Sequence, residues 1–233
     1  MVNYDDIPLF PLHVVLFPDM PLPLHIFEPR YREMILRCRE ENSPFGVVLI
    51  RDGEEEGAQA VPHLVGTTAR ITQYEEMPDG CMNILVFGET RFHITRASYD
   101  KPYVSAQVEP MAEETGDPGL LQPVAEAVTD LFRKYLRALL AMSGRSLSAL
   151  QLPREPAYLS YAVASVLQVP LARKQGLLEI TSTTQRLEQE AEILHAEIEA
   201  QDALKGVQDA HPEAEGLILP VDMQALGRLS SLN

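Results

Sequence analysis

A chain of 233 residues with 45% apolar side chains is long enough to bury a sizeable core, in one domain or two small ones. Its 34 acidic residues outnumber its 19 basic ones, and the net charge of −15 is spread over both halves, which argues against nucleic-acid and anionic-membrane partners. Two cysteines, no basic stretch at the N-terminus and no apolar run of about 18 residues point to a reduced, cytoplasmic protein without export signal or membrane span.

Residues 7–27 carry Pro8, Pro11, Pro18, Pro21 and Pro23 between apolar residues. Proline removes an amide donor, so this stretch is predicted to form short extended segments at sheet edges or bulges, joined at Pro18–Pro21. Pro29 suits the first turn of a helix running to about Glu41, with Tyr31, Met34, Ile35 and Cys38 on one face. Five β-like runs follow: Phe45–Ile50, Val65–Tyr74, Met82–Phe87, Arg91–Ser98 and Tyr103–Val108. The turn signals between them are Asp52-Gly53, Pro78-Asp79-Gly80 and Gly88-Glu89. Such spacing predicts an antiparallel barrel or sandwich, with the acidic stretch Asp52–Gly57 as a solvated hairpin tip.

A polar hinge, Glu113–Gly119, precedes a switch to helical period. Leu121, Val124, Val128, Leu131, Phe132, Tyr135 and Leu139 mark one helix, Pro156 and Pro170 open two more, and Ser182 with Gln185 has capping-box spacing for a long last helix. Leu187, Ala191, Leu194 and Ile198 fall on one stripe of that helix, whose end is free in this reading to pack on a partner helix. The predicted class is α+β, with a barrel over residues 1–112, a helical bundle over 113–205 and a linker with an apolar tail over 206–233. Leu217–Val221 in that tail either docks on a body or frays.

Linear catalytic and phosphate-binding motifs are absent. There is no P-loop, no His-Glu-x-x-His, no Cys-x-x-Cys and no Gly-x-Ser-x-Gly, and the six histidines are scattered, so no cofactor, metal site or catalytic residue is predicted. The carboxylate runs Glu54–Glu56 and Glu113-Glu114 read as solvated loop charges rather than acid–base pairs. His195 reads as a surface residue, whereas His13 and His25 flank the proline-rich segment and face either a groove or a structural hydrogen bond.

The opening Ile7-Pro8-Leu9-Phe10-Pro11-Leu12-His13-Val14-Val15-Leu16-Phe17-Pro18, continued by Leu22-Pro23-Leu24-His25-Ile26-Phe27-Glu28-Pro29-Arg30-Tyr31, resembles the start of the substrate-recognition domain of Lon-type ATP-dependent proteases. Phe45–Leu49, Val65–Ile71, Asn83–Phe92, Arg173–Glu179 and Arg186-Leu187 continue the resemblance in order, to about residue 200. It implies a PUA-like barrel followed by helices. It also implies recognition of polypeptides without the ATPase and Ser–Lys peptidase domains that follow in the full proteases.

Peptide recognition combines apolar pockets with a few orienting polar groups. Exposed polar residues beside apolar ones are therefore the peptide-binding candidates: His25, Phe27, Glu28, Arg30, Tyr31 and Arg91. Glu28 and Arg30 serve equally well to cap and pin the first helix. The implied partners are unfolded or tagged polypeptides and a protease or chaperone machine, with self-association through the C-terminal helix or tail. An RNA-binding module, suggested by the PUA-like barrel, and a hydrolase stand as alternatives; the charge counts against the first and no motif supports the second.

Overall fold

The computed structural model describes residues 4–52, 60–142 and 151–210. The acidic tip at 53–57, the connection at 143–150 and the tail with Leu217–Val221 lie outside those residues. Two compact units divide the described chain. One comprises residues up to 112 together with 169–181, and the other comprises 113–168 with the chain from 182 onward.

The first unit is a six-stranded sheet: β1 Ile7–Leu12, β2 Pro21–Ile26, β3 Phe45–Asp52, β4 Val61–Glu76, β5 Met82–Ser98 and β6 Ser105–Pro110. The strand order is β2-β5-β4-β3-β1-β6, and β6 pairs back onto β5, which closes five strands into a barrel and leaves β2 outside it. All pairings are antiparallel except β1 with β3. Ile7, Leu9, Val48, Phe92, Ile94, Ala106 and Val108 form the interior cluster. The helix α1, Pro29–Glu40, buries Tyr31, Met34, Ile35 and Cys38, the stripe its spacing predicts. On the opposite face of β1 from that cluster, Phe10 stacks on Tyr31 with ring centroids 4.2 Å apart.

Three expectations are corrected here. First, β1 is paired on both sides rather than lying at an edge. Its prolines are accommodated by position: the Leu9 amide donates to the Val104 carbonyl at 2.8 Å, so Pro11, two residues on, faces the β6 side past the end of that strand. By the same alternation Pro8 faces the β3 side ahead of the first paired residue, Leu9, and no ladder bond is lost at either proline.

Second, Gly88-Glu89 is not a turn. Met82–Phe87 and Arg91–Ser98 are one continuous strand, and Gly88 lies inside it opposite Ala69. The glycine is required by a close approach: a Cβ there would overlap the Phe17 carbonyl oxygen, while the Gly88 amide donates to Met20 and its carbonyl accepts from Asp19.

Third, the helix α4, Leu171–Glu179, groups with the sheet and not with the helical segment that follows residue 113. Its last carbonyls have no helical partner. The Arg91 guanidinium, from β5, donates to the carbonyls of Leu178 at 2.9 Å and of Ile180 just beyond the helix end. Gln175 adds a bond from its side-chain amide to the Val65 carbonyl.

The second unit holds α2 Pro118–Met142, α3 Pro156–Val166 and α5 Thr183–Ala210, with α5 packed on α2 and α3. Ser182 caps α5 through its hydroxyl, which accepts from the Gln185 amide at 3.3 Å. On the predicted stripe of α5, Leu187 and Leu194 are fully buried, while Ala191 and Ile198 are half-buried. A buried polar network joins α3 and α5 to residue 113. Arg186 donates to Ser160 at 2.7 Å and to Glu113 at 2.6 Å and lies over the Tyr161 ring, and Ser160 donates to Glu190 at 2.7 Å.

Candidate functional site

The corner where β2 passes into α1 is built by local sequence. Ile26 is buried and His25 and Phe27 on either side are exposed, as strand alternation dictates. Pro29 then fixes the start of the helix. Phe27 is the apolar group this corner presents to water: half of its surface is exposed. Its ring runs near parallel to that of His25, with centroids 6.1 Å apart, and the His25 Nδ1 lies 2.8 Å from the Asn83 Oδ1 on β5. Histidine, asparagine and phenylalanine therefore share one face of the β2–β5 ribbon.

Beside them, one oxygen of Glu28 takes both the Nε and an Nη of Arg30, at 3.0 and 2.9 Å. Glu28 occupies the N-cap position of α1 but makes no side-chain capping bond, so its carboxylate is committed to Arg30. The Arg30 guanidinium in turn lies 4.5 Å from the centre of the Tyr31 ring.

Four of the six predicted residues, His25, Phe27, Glu28 and Arg30, thus sit together on the surface. Tyr31 is adjacent but buried, held between Phe10 and Arg30. Arg91 is buried at 2% exposure and occupied with the end of α4. Both read from sequence as exposed polar groups, and both are interior: an aromatic on the apolar stripe of α1 and a guanidinium satisfying helix-end carbonyls.

The β4–β5 hairpin adds residues that local reading misses. Its turn at 77–81 is closed by bonds from the Met77 amide to the Cys81 carbonyl and from the Gly80 amide to the Met77 carbonyl, and Gly80 adopts φ +77°. The Arg32 guanidinium lies against Gly80, in the space a Cβ would occupy. Asp79 accepts from the Cys81 amide at 2.9 Å, which holds its carboxyl below the ordinary range, with the nearby His25 adding to the effect. No sequence signal links Asp79 to the β2–α1 corner, where Arg32 lies in the first turn of α1, because the hairpin reaches it only through strand pairing.

Burial pushes the Cys38 thiol up to about 11, and Cys81 is also raised, by desolvation and by Asp79, so neither is an activated nucleophile. Among the described residues no three His, Cys, Asp or Glu side chains are placed to hold a metal ion, and no helix is long and apolar enough to cross a membrane.

The described residues form a small mixed barrel unit and a helical unit, an α+β class. Residues 6–196 match the family model of the ATP-dependent protease La (LON) substrate-binding domain, and the chain belongs to that family. It is 29% identical over 205 residues to a Lon protease of Xanthomonas oryzae pv. oryzae, covering 87% of this chain and 24% of that protein. Against the Lon protease of Escherichia coli K12 it is 28% identical over 200 residues, 83% of this chain and 25% of that one. The chain therefore spans about a quarter of the length of these curated relatives.

Among solved structures, the Lon N-terminal domain protein from Xanthomonas campestris superposes with a TM-score of 0.57 at 27% identity, over 79% of this chain and 95% of that one. The N-terminal domain of the Mycobacterium avium complex Lon protease gives a TM-score of 0.60 over 82% and 98%. Its 17% identity makes that a likeness of fold alone. Only the substrate-binding part of the Lon architecture is matched.

Proposed function

We propose that this protein binds unfolded or tagged polypeptide segments at the β2–α1 corner and presents them to a protease or chaperone machine, without hydrolysing ATP or cleaving peptide bonds itself. His25, Phe27, Glu28 and Arg30 make the contact, Tyr31 serves as the platform under Arg30, and Arg91 keeps the barrel unit in shape. The free thiols Cys38 and Cys81 suit a reducing cytoplasm.

The observation that carries this reading is the exposure of Phe27. A half-exposed aromatic ring at the entrance of a proline-started helix offers apolar surface that a partner can cover. Flanking polar groups orient a bound chain while an aromatic anchor supplies most of the affinity. Family membership supplies the partner class, polypeptide, and the acidic charge disfavours the RNA alternative.

The test is calorimetric binding of reduced, carboxymethylated α-lactalbumin, an unfolded polypeptide, to the protein and to Phe27→Ala. The variant is expected to bind at least about tenfold more weakly. Its thermal midpoint should fall only slightly, because half of the ring already stands in water. Equal affinities would refute Phe27 as the anchor, and absence of binding by the unaltered protein would refute the polypeptide reading itself.

A further inference from the structure

We infer that Pro21 and Pro23 close the free edge of the sheet to strand addition, so that a polypeptide held at the β2–α1 corner is held through side chains and not as an extra strand. The inference rests on the polypeptide-binding reading above and specifies its mode.

The strand β2 stands at the end of the strand order and pairs with β5 alone among the described residues. Which of its amides face outward follows from register. Partners in the β2–β5 ladder run from Pro21 opposite Phe87 to Ile26 opposite Met82. One step before it, the Met20 carbonyl accepts from the Gly88 amide at 3.0 Å. Met20 therefore faces β5, and Leu22, Leu24 and Ile26 face it as well, because amide directions alternate along an antiparallel strand. Pro21, Pro23 and His25 face away.

The His25 and Asn83 side chains agree with this assignment. They meet at 2.8 Å, as the closer side chains of a pair not bonded through its backbone do. Two of the three outward positions thus lack an N–H, and the His25 amide is the only donor on that side of β2. The outward edge is a row of carbonyls.

A strand docking on such an edge gives its own N–H groups to those carbonyls but finds no donor for its carbonyl opposite Pro23. One missing bond of this kind weakens pairing about tenfold. Pro21 is buried while Pro23 and the His25 side chain are exposed, so Pro23 guards the accessible stretch. A protein that handles unfolded chains meets many strand-prone segments, and an edge with a full set of donors would template their addition. The exposed Phe27 lies just past the end of this edge, where a side chain can be gripped without backbone pairing.

The experiment uses a twelve-residue peptide of alternating Thr and Val with ¹³C-labelled carbonyls, added in excess to the full chain and to Pro23→Thr. Binding is read by calorimetry and strand formation by isotope-edited infrared spectroscopy. The unaltered protein is expected to show no strand band from the label, and Pro23→Thr to bind the peptide about tenfold more tightly with such a band. A strand band on the unaltered protein, or equal affinity and equal spectra for the two, overturns the inference. Should Pro23→Thr fail to fold, the spectrum of the unaltered protein decides by itself. This peptide carries no aromatic residue, so its result is independent of the Phe27→Ala comparison with unfolded α-lactalbumin, and either idea can fail alone.

Discussion

Glu190 lies fully buried on α5, and its environment predicts that it is held neutral. One carboxyl oxygen accepts from Ser160, and the other has no hydrogen-bond partner among the described residues. The neighbouring Arg186 donates to Ser160 and to Glu113, so its charge is already balanced by a carboxylate. Glu113 takes bonds from Thr183, Tyr161 and Arg186, and although burial opposes it, these hold its carboxyl below the ordinary value. Burial raises Glu190 well above the ordinary value, with Ser160 and Arg186 opposing it. A carboxyl raised in the fold contributes most below its unfolded pKa, and that contribution falls as pH rises toward the folded value.

Each pH unit in that window costs about 1.4 kcal/mol, because the folded state must keep a proton that the unfolded chain releases. Glu190→Gln keeps the shape and the acceptor for Ser160 but removes the titration. In urea unfolding followed by circular dichroism at pH 5 and pH 7, the variant's advantage over the unaltered protein should grow between the two, by no more than the roughly 3 kcal/mol that two pH units allow. Titration of Glu113 and the surface carboxylates cancels in the difference. Parallel stability profiles for the two proteins would refute the reasoning, since they would mean that Glu190 is ionised in the fold.

Two further predictions concern the barrel unit. Gly88→Ala should destabilise by about 2–3 kcal/mol, seen as a lower urea midpoint with unchanged slope, because the obstruction is the Phe17 backbone and not a side chain that can swing away. A midpoint within error of the unaltered protein would contradict the close approach. Arg91→Met should lower stability by about 3 kcal/mol through loss of charge-assisted bonds to the carbonyls of Leu178 and Ile180. It should leave α-lactalbumin affinity unchanged in the folded fraction; a selective loss of binding with stability intact would return Arg91 to the recognition surface.

What the sequence discloses depends on how local the cause is. The buried stripe of α1 and its Pro29 start are legible because both follow from neighbours three and four residues apart. The 78–80 turn is legible for the same reason, its Asp79 and Gly80 fixing the backbone between paired strands. The failures are all long-range. Pro8 and Pro11 look like edge residues until the ends of β3 and β6 are located, since only those ends show that neither missing amide was needed. Gly88 has the composition of a turn, and only the approach of a chain some seventy residues earlier reveals a strand position that cannot carry a side chain. Polarity marks Tyr31 and Arg91 for recognition, but the helical stripe already assigns Tyr31 to the apolar face of α1, and only the fold shows that the Arg91 guanidinium finds carbonyls to satisfy.

The two deeply buried arginines sharpen that point. Arg91 and Arg186 are 2% and 0% exposed, and each is surrounded by acceptors that its own unit would otherwise leave wanting: the open end of α4 for one, Ser160 and Glu113 for the other. A guanidinium whose bonds serve a helix end or a carboxylate has little left to offer a partner, and displacing it would expose a charge that the interior cannot solvate. Arg30 differs in kind: it is partly exposed, paired to a partly exposed carboxylate, and braced on an aromatic ring. Exchanging a weak surface ion pair for a partner's polar group is cheap by comparison, typically within about 1 kcal/mol. The same reasoning favours the proposal of recognition at the β2–α1 corner over one at the buried arginines, although a ranking by charge alone would have put all three together.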